Sequence, residues 1–173
     1  MPNVLHIDES AFQTLYESTR KALWAYVVKV VGDQATADDI LQESYVRLLQ
    51  ADVGKLHEAQ RRAYLYRIAT NLINDHWRRV HRDRRWTSET VDQLSTKTAD
   101  GFETTHDVGH AFRQLTPQQR SLLWLAYVEE YAHREIAEIL KLREGSVKVL
   151  LFRAKQKLVE ILKRIGIESE KRQ

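Results

Sequence analysis

Between positions 61 and 85 the chain reads RRAYLYRIATNLINDHWRRVHRDRR, a stretch without glycine or proline in which apolar residues recur at helical spacing. Leu65, Ile68, Ala69, Leu72, Ile73, His76 and Val80 follow the i, i+3, i+4, i+7 pattern and form one continuous face. A strand would alternate, and a membrane span would need about 18 apolar residues, so neither fits this stretch. The opposite face carries Tyr64, Arg67, Asn71, Asn74, Arg78 and Arg82, with Tyr66, Thr70 and Trp77 along one border. Cations for phosphates, flat rings for stacking and amides for base edges are what a single-stranded nucleic acid requires. The plainer alternative is a helix whose arginine stems lie over apolar neighbours and whose tyrosines simply pack.

The rest of the chain is punctuated just as sparsely. Six glycines and two prolines in 173 residues, no sustained alternation and no internal repeat predict an all-α protein. A first helix is expected over 9–31, with Phe12, Leu15, Tyr16, Leu23, Tyr26, Val27 and Val30 on its apolar side and Gly32 as its stop. In GDQATADDILQESYVRLLQ, Thr36 reads as an N-cap with Asp39 three positions on. Ala37, Ile40, Leu41, Ser44, Tyr45 and Leu48 then share one face, and Asp39, Gln42, Glu43 and Val46 the other.

Residues 86–107, WTSETVDQLSTKTADGFETTHD, hold few large apolar groups and cannot bury enough surface to fold alone, so they are expected to form a flexible acidic linker. Beyond it, Thr116 caps a helix, Pro117 takes its first position and Gln119 completes a capping box. Ile136, Ala137, Leu140, Leu142, Val147 and Leu151 have the spacing of a helix-turn-helix. With Val147 buried, Gly145, Ser146, Val149, Phe152, Arg153 and Gln156 point outward, flanked by Lys148 and Lys155, the surface a recognition helix offers to a major groove. A helical hairpin that binds protein is the bland reading of the same segment, and exposed Val149 and Phe152 fit it. The expected architecture is two small helical domains, a bundle and a helix-turn-helix, joined by the linker.

Charge supports two polyanion-binding surfaces. The net charge is only +3, yet residues 61–85 carry a local balance of +6, residues 86–107 of −4 and residues 141–164 of +6. Solvated helix faces explain either basic block taken alone. There is no cysteine, which excludes disulfides, thiolate zinc sites and thiol chemistry on this chain. The N-terminus lacks the basic start and apolar run of a secretory signal, so a cytoplasmic location is expected.

Four segments in this order resemble a known family: ADDILQESYVRLL, RAYLYRIATNLINDHWRR, LTPQQRSLLWLAYVEEYAHREIAEIL and EGSVKVLLFRAKQKL. Together they look like a bacterial RNA polymerase sigma factor of the extracytoplasmic-function group of the sigma-70 family. The resemblance implies sigma region 2 over 1–85, the linker over 86–107 and sigma region 4 over 108–168. It implies a transcription initiation factor, not an enzyme, that binds core RNA polymerase and promoter DNA, requires no cofactor, metal or small-molecule substrate and inserts in no membrane. Asp38, Asp39, Gln42, Glu43, Val46 and Arg47 would then meet the β′ clamp helices of the polymerase. The loop 52–60 and the outer face of the next helix, with Tyr64, Tyr66, Arg67, Asn71, Asn74, Asp75, Trp77, Arg78 and Arg82, would read and melt the minus-10 element. Ser146, Lys148, Val149, Phe152, Arg153, Lys155 and Gln156 would read the minus-35 element, and the same unit would contact the β flap. An anti-sigma factor is the partner expected to regulate such a chain.

The sequence departs from the family pattern at several points. Lys141 stands in the turn between the DNA-binding helices where the family usually has glycine, and a left-handed backbone there costs lysine more. Leu150 and Phe152 stand where Arg and Ser are frequent, His133 replaces a frequent acid, and ADVGKLHEAQ lacks an aromatic residue that some members use near the minus-10 base. A conventional helix-turn-helix regulator would own the same C-terminal half, but would need a sensor or dimerisation domain in place of a second basic, aromatic helix. An enzyme reading starts from HDVGH, whose His106 and His110 lie at i, i+4, but no third ligand stands at a recognisable spacing. No GxxxxGK phosphate loop or GxSxG elbow is present.

Overall fold

The computed structural model describes residues 7–86 and 103–166. All regular structure among them is helical, and they fall into two compact units. The all-α, two-domain expectation holds. Most of the linker expected over 86–107, and the end of the 108–168 domain, lie outside the described residues.

The first unit packs α1 (Glu9–Val31), α2 (Gln34–Gln50) and α3 (Glu58–Trp86) against one another. Asp8 caps α1 by accepting from the Ala11 N–H at 3.3 Å, and Gly32 closes it at φ 86°, a left-handed conformation cheap only for glycine. The start of α2 differs from expectation. Asp33, not Thr36, is the N-cap: its carboxylate accepts from the Thr36 N–H at 2.8 Å and from the Thr36 hydroxyl at 2.6 Å. Coming straight after the left-handed Gly32, Asp33 is the first extended residue, so its acceptor reaches the free first-turn donors and Thr36 becomes a donor to the cap. These bonds to Thr36 hold the Asp33 carboxyl below its ordinary value.

Leu23, Tyr26, Val27 and Val30 of α1, Ala37 and Leu48 of α2, and Leu65, Tyr66 and Ala69 of α3 have no exposed surface. At roughly 1.5–3 kcal/mol for each large aliphatic side chain buried, this interior dominates the unit's stability. Two hydroxyl pairs cross it. Thr70 donates to the Tyr66 carbonyl at 2.7 Å, so its oxygen is left to accept from the Tyr26 hydroxyl at 2.9 Å. Thr19 likewise donates to the Leu15 carbonyl at 2.6 Å and accepts from Tyr45 at 2.7 Å. Burial raises the Tyr45 phenol above its usual value, consistent with a donor role at neutral pH.

The second unit is built from α4 (Glu103–Arg113), α5 (Pro117–Tyr127), α7 (Glu144–Arg164) and His133–Ala137 of α6 (His133–Leu140). Helix α4 opens at Glu103, inside the expected linker and five residues before the expected domain start at 108. Its ETTHDVGHAFR sequence is polar through the first turn and has Gly109 in the middle, which hid the few apolar positions Val108, Ala111 and Phe112. The capping box of α5 forms as expected, Gln119 N–H to Thr116 Oγ1 at 3.2 Å and Thr116 N–H to Gln119 Oε1 at 3.0 Å. Helices α4 and α5 both pack on α7. Arg120 is buried between them, its Nε donating to the Leu115 carbonyl at 3.0 Å and its Nη2 to the Arg113 carbonyl at 3.1 Å. The guanidinium therefore satisfies carbonyls that the end of α4 leaves without helical partners. Burial and the nearby Arg113 charge push its pKa down to about 10.

No helix among the described residues is long and apolar enough to cross a membrane.

Candidate polymerase and promoter interfaces

Three polar faces of the two units carry the residues singled out by sequence. On α2 the apolar stripe Ala37, Ile40, Ser44, Tyr45 and Leu48 is buried, so Asp38, Asp39, Gln42, Glu43, Val46 and Arg47 all stand exposed on the outer side. Two of them are held by neighbours. Trp24 of α1 donates from Nε1 to Asp38 Oδ1 at 2.7 Å, fixing one carboxylate oxygen and leaving the other free. Glu43 and Arg47 pair along the helix at 2.7 Å, an exposed i, i+4 contact that orders two side chains more than it stabilises the helix. Val46, 41% exposed, is the apolar point in this otherwise polar face.

On α3 the inward face is Leu65, Ile68, Ala69, Leu72 and Ile73, all buried. Arg67, Asn74, Arg78 and Arg82 are exposed opposite, with Tyr64, Asn71 and Asp75 half-buried beside them. Arg78 reaches Asp75 at 3.2 Å across one turn. The rings do not all join this face. Tyr66, expected on its border as a base-stacking candidate, lies wholly inside the core with its ring 5.4 Å from that of Tyr26. Position 66 is on the boundary of the helical pattern, and the packing of α1 against α3 draws it inward. Trp77 is half-buried, flanked by the His76 ring at 5.4 Å and the His81 ring at 6.3 Å. Burial and the Arg79 charge hold the His76 imidazole below its ordinary value, while Asp33 opposes them. Tyr64 and Trp77 remain as the rings within reach of a ligand on this side.

The loop that leads into α3 is ordered by contacts no periodicity reveals. Arg61 donates from Nε to the Val53 carbonyl at 3.0 Å and from Nη2 to the Gly54 carbonyl at 2.9 Å. At the other end of the loop the His57 N–H donates to Gln60 Oε1 at 2.9 Å.

Helices α6 and α7 flank a short turn in which Lys141 adopts φ 55°, ψ 46°, the left-handed conformation that a glycine would have taken more easily. Val147 and Leu151 of α7 are buried, as their spacing predicts. Lys148, Val149, Phe152, Arg153, Lys155 and Gln156 are exposed along the other side, with Ser146 partly covered at its start. Phe152 is 60% exposed and Val149 48%, so the face mixes cations with uncovered apolar groups. Lys155 is not wholly free, its Nζ lying 5.8 Å from the ring centroid of Tyr127 at the end of α5.

The metal alternative gains no support: among the described residues no three His, Cys, Asp or Glu side chains gather as a metal site. Of the HDVGH pair, His110 is exposed on α4 and the side chain of His106 lies outside the described residues.

Comparison with known proteins finds matches for both units. The family model for sigma-70 region 2 matches residues 15–84, and that for sigma-70 region 4 matches residues 105–158. The extracytoplasmic-function RNA polymerase sigma factor SigL of Mycobacterium tuberculosis is 30% identical over 167 residues, covering 92% of this chain and 93% of its own. SigX of Bacillus subtilis is 27% identical over 150 residues, covering 81% and 77%. In fold, the chain is similar to a chain in the co-crystal structure of the sigma factor RpoE with the anti-sigma factor NepR from Bartonella quintana, with a TM-score of 0.71, 19% identity and coverage of 88% and 96%. It is also similar to one in the PhyRSL–NepR complex from Sphingomonas sp. Fr1, with a TM-score of 0.63, 17% identity and coverage of 92% and 94%. Both sigma-70 regions in their proper order, with a 30% identical relative aligned over 92% of the chain, place the chain in the extracytoplasmic-function RNA polymerase sigma factors, transcription initiation factors that bind core RNA polymerase and promoter DNA.

Proposed function

We propose that the three faces divide the work of initiation. The outer side of α2, through Asp38, Asp39, Gln42, Glu43, Val46 and Arg47, meets the clamp helices of the polymerase β′ subunit. The 52–60 loop and the outer side of α3, through Tyr64, Arg67, Asn71, Asn74, Asp75, Trp77, Arg78 and Arg82, take up the minus-10 element as its strands separate, Tyr64 and Trp77 offering stacking surface to extruded bases. Tyr66 supports this face from inside the core and is withdrawn from the contact set. On α7, Ser146, Lys148, Val149, Phe152, Arg153, Lys155 and Gln156 read the minus-35 element, and the second unit contacts the β flap. In this reading region 2 spans 1–85 and region 4 extends to 168, with α4 at its start.

The observation that carries the reading is that one chain holds two separate basic helical faces, each backed by an apolar stripe in a different compact unit. A conventional regulator needs only the second. The factor works in the cytoplasm without catalysis of its own. An anti-sigma protein that covers the α2 face is its expected inhibitor, a partner class supported by the RpoE–NepR complex with which the chain shares its fold.

The test is reconstitution. The chain with core polymerase should start transcription from promoters of its source genome. Exchange of Asp39 and Glu43 for lysine should weaken polymerase binding without unfolding the chain, and Arg153→Gln should weaken promoter binding. Core polymerase that gains no promoter-specific start from this chain would overturn the function. Unchanged transcription with both sets of substitutions would overturn the residue assignment.

A further inference from the structure

Arg61 stands in the basic block 61–85 and by composition belongs with the arginines that meet phosphates. Its geometry is different. The side chain turns back along the chain and bridges two successive carbonyls, those of Val53 at 3.0 Å and Gly54 at 2.9 Å. The Val53 carbonyl also accepts from the Leu56 N–H at 3.1 Å, closing a tight turn over 53–56. Val53 itself is only 1% exposed and pins the turn to the unit's interior. The far end is fixed as well, since the Arg61 N–H donates to the His57 carbonyl at 2.9 Å and the His57 N–H to Gln60. The loop is thus held at its buried valine, at its turn and at its junction with α3. On that fixed backbone Asp52, Lys55, His57, Glu58 and Gln60 stand exposed.

We infer that Arg61 is a positioning residue for minus-10 recognition: it sets the backbone of the 52–60 loop so that its exposed side chains meet the DNA in one arrangement. This rests on the reading above that the loop faces the minus-10 element. A guanidinium suits the task because its planar fork spans two acceptors at once, whereas a lysine amine is a single point that cannot hold both carbonyls in the same geometry. The bonds use Nε and Nη2, so the edge of the guanidinium that could fork onto a phosphate is already occupied by the loop.

The two roles separate cleanly on Arg61→Lys and Arg61→Met, each assembled with core polymerase and assayed for open-complex formation on one promoter with single-base changes in the minus-10 or the minus-35 element. A phosphate contact would survive in Arg61→Lys, and in Arg61→Met its loss would lower the salt slope of DNA binding by about one. An anchor fails in both variants and leaves the slope unchanged. Where the wild type prefers the best minus-10 sequence by about tenfold per mismatched base, both variants should fall to about twofold. Discrimination at minus-35 and affinity for core polymerase should stay as in the wild type. Arg61→Lys with wild-type minus-10 discrimination would overturn the inference, as would loss of polymerase binding in both variants, which would mean the substitution disturbs the whole unit. A wild-type holoenzyme indifferent to minus-10 sequence would instead overturn the underlying assignment of the loop.

Discussion

Lys141 holds a left-handed backbone that glycine would adopt without strain, and replacing it with glycine gives a testable prediction. At φ 55° and ψ 46° an L-residue brings its Cβ against the neighbouring carbonyl, at a cost of about 1–2 kcal/mol. Glycine removes that cost but gains freedom in the unfolded chain worth about 0.5–1 kcal/mol against folding. The backbone bonds of the turn, the Leu142 N–H to the Ala137 carbonyl at 2.9 Å among them, do not involve the side chain, which is exposed. The net effect of Lys141→Gly is therefore a gain of up to about 1.5 kcal/mol for the second unit, a few-fold in its opening equilibrium at the middle of that range. Native-state amide exchange at Val147, Leu151 and Ala154, buried on α7, reads that unit separately in the full chain. Lys141→Ala is the control, because it deletes the same charge yet keeps the Cβ clash. If alanine slows exchange as much as glycine, relief of the basic block's self-repulsion, not backbone strain, is the cause and the argument fails. Glu130, also left-handed at φ 56°, should behave in the same way.

Two further outcomes follow from the first unit. Asp33→Ala should lower its stability by about 1 kcal/mol at neutral pH, the usual worth of an N-cap. Because the folded carboxyl is held below its ordinary 3.8, that contribution is complete above the unfolded value and disappears as the pH falls through the lower folded one, so denaturation curves of mutant and wild type should converge below pH 3.8. Trp24→Phe keeps most of the ring but frees Asp38 Oδ1, and should weaken binding to core polymerase by about threefold, the worth of one hydrogen bond, in a competition assay; affinity equal to wild type would reduce Trp24 to packing.

Where the fold depends on neighbours in sequence it was legible from the sequence. Gly32 and Thr116 announce their helix boundaries because the groups they satisfy lie within a few residues. The outward face of α7 follows from Val147 alone, since one buried position fixes the phase of a helix. The misses have a common origin in contacts between distant segments. Asp33 and Thr36 are both good caps, and only the left-handed turn at Gly32 decides between them. Tyr66 lies on a boundary of the helical wheel, and its burial depends on Tyr26, forty positions earlier. The places of Arg120 and Arg61 carry no sequence signal, because nothing local shows that backbone carbonyls will gather around them. Trp24 gives no sign of a role until α2 brings Asp38 to it.

The paired hydroxyls in the three-helix unit bear on how such factors can be recombined. Tyr26 with Thr70 and Tyr45 with Thr19 each join two different helices through a buried bond. Grafting α3 from a relative that has an aliphatic residue at position 70 would remove this bond between α1 and α3, at a cost of about 0.5–1.5 kcal/mol. Hybrid factors built to exchange minus-10 specificity should therefore carry Tyr26 and Thr70 as a matched pair, or replace both, with α1 treated as part of the module.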